Sequence, residues 1–297
     1  MKMTIGLTAL VVAMGTGVSS LLVGCAQTPS KQHSLDEPIP IHHLGEASKY
    51  VASSAGPVLV VLDIDDTLLT TPPEGSAHRK FFGSDRWFSW QNKLRAEPGN
   101  PARVPCLGDV NGMIYELGSQ VPSDGEAGVA AVNALTADRI ALTSRNPRSR
   151  GPTEREWRHA GYNDLPMLRN AKGEVLSSVL IDGWSYEHGV YMTGGGNKGD
   201  ALKALLPDIN RYATVVMVDD GPKNLQDVRQ ALQGLPSPIP VVALQYMGVK
   251  EVLPPDLDPH EISEAQTEWG KLRTTLSEAF PDRWARIDAG QCDLTPK

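Results

Sequence analysis

Val58-Leu59-Val60-Val61-Leu62-Asp63-Ile64-Asp65-Asp66-Thr67-Leu68 is the stretch on which the reading of this chain turns. Its first five residues are apolar without a break and rich in β-branching, the pattern of a strand buried on both faces of a parallel sheet. The run stops on an acid. In extended chain, residues two apart point the same way, so Asp63, Asp65 and Thr67 can all face one pocket beyond the strand. A calcium loop also begins Asp-x-Asp, but it needs a glycine at its sixth position, an oxygen-rich continuation and flanking helices. Here the sixth residue is Leu68 and a strand comes first, so that reading fails.

Working toward the carboxyl end, further apolar runs at Arg139 to Thr143, Val190 to Thr193, Ala213 to Val218 and Val241 to Tyr246 read as strands. Between them lie helix-like segments: Gly125 to Leu135, Glu154 to Ala160 behind a capping box of Thr153 and Glu156, Lys198 to Leu206, and Lys223 to Leu232 closed by Gly234. Such alternation predicts a doubly wound, Rossmann-like α/β domain with a parallel sheet, whose ligands sit at the carboxyl ends of the strands. Residues 71 to about 125 break the alternation. They hold Phe81, Phe82, Trp87, Phe88 and Trp90 with little periodicity and read as an inserted cap after the first strand. Arg86, Trp87 and Trp90 are placed to reach a substrate, yet aromatics clustered in this way are expected mainly to form the cap's own small core. At the carboxyl end Ile262, Ala265, Trp269, Leu272 and Leu276 are spaced by threes and fours, an amphipathic helix that should pack on the domain.

Toward the amino end the sequence changes character. Lys2 precedes an uncharged, mostly apolar stretch to Gly24, followed by Cys25, which reads as a signal peptide over residues 1–24. A membrane-spanning anchor is the alternative, weakened by Thr4, Thr8, Thr16, Ser19 and Ser20. Leu22-Val23-Gly24-Cys25 resembles the lipobox of bacterial lipoproteins, which implies acylation of the Cys25 thiol and attachment to a membrane facing away from the cytoplasm. Ala26, where an Asp would retain such a protein, implies the outer membrane. Residues 25–54, broken by Pro29, Pro38 and Pro40, are expected to be a tether, with His42 and His43 as solvated linker residues. The body then runs over residues 55–257, with a helical extension at 258–297. Acidic residues outnumber basic ones 35 to 28 and no Lys/Arg cluster is interleaved with aromatics, so nucleic acid is not an expected partner. With Cys25 lipidated, Cys106 and Cys292 remain; an oxidising compartment permits them to pair, though two cysteines so far apart in sequence are more often buried or unpaired unless geometry brings them close.

Every polar cluster of interest falls at the end of a strand. Thr143 closes Ile140-Ala141-Leu142-Thr143; Lys198 lies in Gly196-Asn197-Lys198-Gly199; Asp219 and Asp220 close Val216-Met217-Val218-Asp219-Asp220. Each has a local alternative. Thr143 could satisfy its own turn. Asp220, before Gly221 and Pro222, could cap a helix. Lys198 at a helix start opposes the helix dipole, so an anion nearby, naturally a phosphate, would rationalise it. Arg145 either helps bind an anionic substrate or is an ordinary turn arginine. Four carboxylates in one pocket repel one another unless a cation sits among them, and a donor set of hard oxygens favours Mg²⁺ over zinc or iron.

Taken in order, these segments resemble the four motifs of the haloacid dehalogenase-like superfamily, over about residues 57 to 250. The resemblance implies a Mg²⁺-dependent phosphohydrolase. Asp63 would be the nucleophile, forming an aspartyl-phosphate, and Asp65 the acid and base. Thr143 and Lys198 would hold the phosphoryl group, with Thr67, Ser144 and Arg145 as candidate substrate contacts. Asp63 and Asp219 would ligate the metal with side chains, Asp65 through its backbone carbonyl, and Asp220 would complete the acidic pair. Superfamily dehalogenases lack the acid at position 65 and transport ATPases carry Thr there, so Asp65 points to phosphatase or phosphomutase chemistry on a small phosphate ester. A phosphotransferase or mutase, and a non-catalytic envelope lipoprotein that uses the fold for binding, remain the competing readings.

Overall fold

Apolar runs buried on both faces and amphipathic helices of matching length produce alternating strands and helices, as the periodicities predict. A computed structural model of the chain describes residues 37–72, 85–118, 120–170, 172–176, 183–206, 209–249 and 258–293. The expected signal peptide and Cys25 lie outside the described residues. In chain order the first half contains β1 (Ile39–Ile41), α1 (Ala47–Ser53), β2 (Val58–Leu62), β3 (Leu69–Thr70), α2 (Asp85–Leu94), α3 (Leu107–Leu117), β4 (Val121–Pro122), α4 (Gly125–Asn133) and β5 (Asp138–Thr143). The second half contains α5 (Arg150–His159), β6 (Ser185–Glu187), β7 (Val190–Met192), α6 (Lys198–Leu205), β8 (Thr214–Asp219), α7 (Pro222–Gln233), β9 (Val241–Tyr246), α8 (Pro259–Ala279) and α9 (Pro281–Asp288).

Among the described residues seven strands form one sheet in the order β1-β9-β8-β2-β5-β7-β6. All neighbours are parallel except β6 and β7, so this is a mostly parallel α/β sheet flanked by helices, consistent with a Rossmann-like fold. In β2, Val58, Val60 and Leu62 enter one core and Leu59 and Val61 the other. Val129 and Val132 of α4 and Trp157 of α5 cover the first face, and α6 and α7 supply Leu202, Leu205, Leu225 and Val228 to the second. Each fully buried aliphatic side chain contributes about 1.5–3 kcal/mol, so β2, with no exposed residue, is a main source of stability. The β6–β7 turn places His188 (φ 48°) and Gly189 (φ 75°) both in the left-handed region, the conformation that joins strands through two residues. A Cβ at Gly189 would stand 2.2 Å from that of Leu165, so no larger residue fits there.

Three expectations need correction. The tether ends early: β1 pairs in parallel with β9, Ile39 opposite Leu244, and a 3-10 turn at Leu44–Glu46 leads into α1. Ile41, Leu44 and Ala47 are buried there, and those apolar positions outweigh the prolines that suggested an extended linker. His43 is not merely solvated, since its Nδ1 lies 3.0 Å from Asp124 Oδ1. The capping box of Thr153 and Glu156 does not form, because α5 starts at Arg150 and both side chains are engaged elsewhere. The carboxyl-terminal helix packs on the domain as expected, and the surface it meets is the insertion. Trp87 of α2, Leu107 and Val110 of α3, Trp269 of α8, and Trp284 and Ile287 of α9 make a separate core, with the Trp269 and Trp284 rings 5.8 Å apart.

Cys106 and Cys292 form a disulfide across that third core. Phe88 and Trp90 pack against it half-buried, which makes the insertion's aromatics core residues; Phe81, Phe82 and the Arg86 side chain lie outside the described residues. Among the described residues no helix is long and apolar enough to cross a membrane.

Candidate functional site

The chain leaves β2 at Asp63, whose N–H still bonds Val218 O of β8 at 3.0 Å. It then doubles back: the Ile64 carbonyl accepts from the N–H groups of Leu68 and Leu69 at 2.9 and 2.8 Å. Asp66 takes φ 53° at this reversal, a conformation that Asp tolerates better than most residues, and its Oδ1 accepts from Thr70 Oγ1 at 2.7 Å. The reversal sends the Asp63 and Asp65 side chains to two different cations.

Asp63 meets Lys198. The Lys198 ammonium, 1% exposed, lies 2.6 Å from Asp63 Oδ1 and 2.8 Å from Asp219 Oδ2. The lysine is delivered by the start of α6, where Asn197 caps the helix by accepting from Asp200 N at 3.0 Å. Gly199 lets α6 approach α7, since a Cβ there would come within 2.4 Å of the Asp227 carbonyl. Asp219 sits at the tip of β8, and its Oδ1 accepts from Gly221 N at 2.8 Å and Asn224 Nδ2 at 2.9 Å. The anions that offset the cation at this helix start are therefore the protein's own carboxylates.

Asp63, Asp219 and half-buried Asp220 bring carboxylate oxygens within 4.8 Å of one another. Burial pushes the Asp63 carboxyl well above its usual range, Asp219 and Asp220 push it further, and Lys198 opposes them. Burial disfavours the Lys198 charge, but Asp219 and Asp63 more than compensate and raise its pKa. One ammonium among three acids leaves an excess of negative charge, and an all-oxygen donor set of this kind fits a hard divalent cation. Asp63, Asp219 and Asp220 are the residues that could hold it.

Asp65 meets Arg145. Arg145 Nη2 lies 2.7 Å from Asp65 Oδ1, and its Nε 2.9 Å from Asp65 Oδ2. On its far side Nη1 donates to Thr153 Oγ1 at 3.0 Å and to Glu156 Oε2 at 3.2 Å. Two residues of the insertion close the set: Gln120 accepts from Nη2 and donates to Asp65 Oδ1 at 3.3 Å, and the Tyr115 ring lies 4.1 Å beneath the guanidinium. Burial alone would raise the Asp65 carboxyl, but the charge and hydrogen bonds of Arg145, with Gln120, bring it below its ordinary range. Burial raises the Glu156 carboxyl, against the charge and hydrogen bond of Arg145.

Backbone bonds hold the two halves together. Gly195 N donates to Ser144 O at 2.9 Å and Gly194 N to Arg145 O at 3.0 Å, so the loop after β5 is laced to the one before α6. Thr143 stands between the halves: its Oγ1 accepts from Arg145 N at 3.1 Å, satisfying the turn, and lies 3.5 Å from Asp65 Oδ2. Thus Asp63, Asp65, Thr143, Lys198, Asp219 and Asp220 are gathered at the carboxyl ends of β2, β5 and β8. The candidate substrate contacts fare differently. Thr67 is fully buried and its hydroxyl accepts from Asp220 N at 3.0 Å, which makes it a tie between two loops. Arg145 is 3% exposed and shared between two acids, so it is neither an open recognition residue nor an ordinary turn arginine. Ser144 is exposed. Asp220 does not cap α7, whose N-cap is Gly221.

Sequence reasoning missed Tyr115, Gln120, Asn224 and the role of Glu156. Gln120 and Tyr115 sit in the stretch without periodicity and carried no signal; Glu156 was visible but its spacing from Thr153 suggested a cap.

The chain belongs to the family described as a protein of unknown function (DUF2608), whose model matches residues 40–282. That match corrects the expected membership of the haloacid dehalogenase-like superfamily, because the family found is uncharacterised and is not one of that superfamily's phosphatase families. No curated protein and no solved structure matches the chain.

Proposed function

We propose that this member of a family of unknown function is a Mg²⁺-dependent phosphomonoesterase acting on a small organic phosphate ester outside the cytoplasm, with Asp63 as its nucleophile. One observation carries the reading: acids from the tips of two adjacent parallel strands, Asp63 and Asp219, converge on one buried lysine with Asp220 beside them. A buried carboxylate beside a fixed cation, at the strand ends where α/β sheets bind ligands, suits attack on an anionic ester.

In the first step an Asp63 oxygen bonds to phosphorus in line with the leaving oxygen, and the bond from phosphorus to that oxygen breaks. Arg145 keeps resting Asp65 ionised, so the proton that Asp65 relays to the leaving alkoxide arrives with the ester, which still carries one below its second pKa of about 6. In the second step water attacks the aspartyl-phosphate, Asp65 takes a proton from it, and the bond between Asp63 and phosphorus breaks to release phosphate. Lys198 and the Thr143 hydroxyl stabilise charge on the transferring group. Mg²⁺ held by Asp63, Asp219 and Asp220 would add charge neutralisation at the phosphoryl oxygens.

Export is supported by the amino-terminal lipoprotein pattern and by the disulfide, which suits an oxidising compartment. Lipid at Cys25 would make a membrane the protein's second partner. The direct test offers protein lacking residues 1–25 a panel of phosphate monoesters with Mg²⁺, then with chelator. The reading expects phosphate release that the chelator stops; silence on every ester would leave a binding protein.

A further inference from the structure

Arg145 and Asp65 already neutralise each other, with Nε and Nη2 on one edge of the guanidinium both donating to the carboxylate. A second buried carboxylate, Glu156, nevertheless lies at 3.2 Å on the opposite edge, with its side chain 4% exposed. Burying an extra acid costs free energy, as its raised pKa reflects, and charge balance does not require it. What a second acid adds is direction. A guanidinium is a planar fork, and gripping it on both edges fixes its plane in a way that one ion pair cannot. Thr153, three residues earlier on the same helix, donates to Ser149 O at 2.7 Å and so presents its lone pair to Nη1. Trp157 beside Glu156 is 4% exposed and packs its ring 4.9 Å from Tyr162, which anchors this part of α5 against the core.

We propose that Glu156 is a positioning residue: from α5 it sets the guanidinium plane of Arg145, which in turn aims the Asp65 carboxyl at the leaving oxygen. This rests on the phosphomonoesterase reading and deepens it, because it makes the choice among esters depend on a residue that touches no substrate. An alkoxide leaves only with a proton, whereas a 4-nitrophenolate leaves without one. Misaiming Asp65 therefore slows formation of the aspartyl-phosphate from alkyl esters and spares it from nitrophenyl esters, a difference read in kcat/KM because the later hydrolysis, which also uses Asp65, is common to both.

The experiment compares the full chain with Glu156→Gln, Glu156→Asp and Thr153→Val, each with Mg²⁺, on glycerol 2-phosphate and on 4-nitrophenyl phosphate, with a thermal melt of every variant. Expected for Glu156→Gln is a fall in kcat/KM on the alkyl ester on the order of 10- to 100-fold, with kcat/KM on the nitrophenyl ester within about threefold of wild type. Glu156→Asp should recover part of the alkyl rate. Thr153→Val should show the same ester selectivity in smaller degree, which decides the matter should Glu156→Gln not fold. Equal losses of kcat/KM on both esters, or no loss on either, overturn the proposal while wild-type activity stands. A wild type inert on both esters overturns the phosphatase reading, and the proposal falls with it.

Discussion

Two cations stand at the carboxyl ends of the sheet, each between two acids, and they are built for different ends. Lys198 touches Asp63 and Asp219 at 2.6 and 2.8 Å, with Asp220 in the same group of ligand oxygens. Arg145 touches Asp65 and Glu156 at 2.7 and 3.2 Å and is propped further by Thr153, Gln120 and Tyr115. An ammonium is a compact charge with no preferred plane, and three acids around it leave room for another cation. A guanidinium is a rigid fork, and each group around it fixes an angle. The first cluster holds charge in readiness for a ligand, while the second holds a carboxyl in a direction.

That contrast can be broken in several places. The largest effect falls on chemistry: Asp63→Asn should cut turnover of an alkyl phosphate on the order of 10⁴-fold or more, against roughly 10²–10⁴ for Asp65→Asn. Steady-state rates with circular dichroism as the folding control decide this, and activity that survives Asp63→Asn refutes the nucleophile. Next comes stability. Lys198→Met and Arg145→Met each leave buried acids without their cation, and each should cost about 3–5 kcal/mol in urea unfolding. Only the lysine variant should regain part of that loss with Mg²⁺; equal recovery in both would erase the distinction between the clusters.

The pH responses should differ in sign. The folded Asp63 pKa is raised, so its contribution to stability is present below the ordinary value of 3.8 and is lost as pH rises through the elevated one. The folded Asp65 pKa is lowered, so its contribution is present above 3.8 and is lost as pH falls through the depressed one. In chelator, Tm should therefore decline as pH climbs through the Asp63 transition, and Asp63→Asn should flatten the decline. Mg²⁺ should flatten it as well, since an ion that binds only the folded state adds about 2.7 kcal/mol at a hundred times its Kd. A Tm curve indifferent to Mg²⁺ at every pH would remove the metal from the site. The smallest effect belongs to Thr67→Val, which takes the acceptor that Thr67 offers Asp220 N and should cost about 1 kcal/mol with turnover little changed. A large loss of turnover would return Thr67 to the substrate.

The lysine cluster was legible in the sequence and the arginine cluster was not. Asp63, Lys198 and Asp219 each follow a strand or open a helix that periodicity alone places, and a parallel sheet brings such ends together. The expected strand Val58–Leu62 and the observed one coincide, and Ala213 to Val218 is displaced by one residue from Thr214–Asp219. Arg145 depends on Gln120, Tyr115 and Glu156, 25, 30 and 11 residues away in sequence, and no local pattern marks such partners. Glu156 was misread for a physical reason, because a Thr and a Glu at this spacing suit a helix cap as well as they suit two props for a guanidinium. The edge strand β1 escaped notice because Ile39–Ile41 is too short to show a period.

The bond between Cys106 and Cys292 turns most of the chain into a closed ring, since the two cysteines lie 186 positions apart. A single protease cut anywhere inside that ring leaves both pieces covalently joined, and they migrate as one species until a thiol reductant is added. The strands that carry Asp63 and Asp219 stand one outside the ring and one within it, so a nicked molecule keeps both acids on one covalent body.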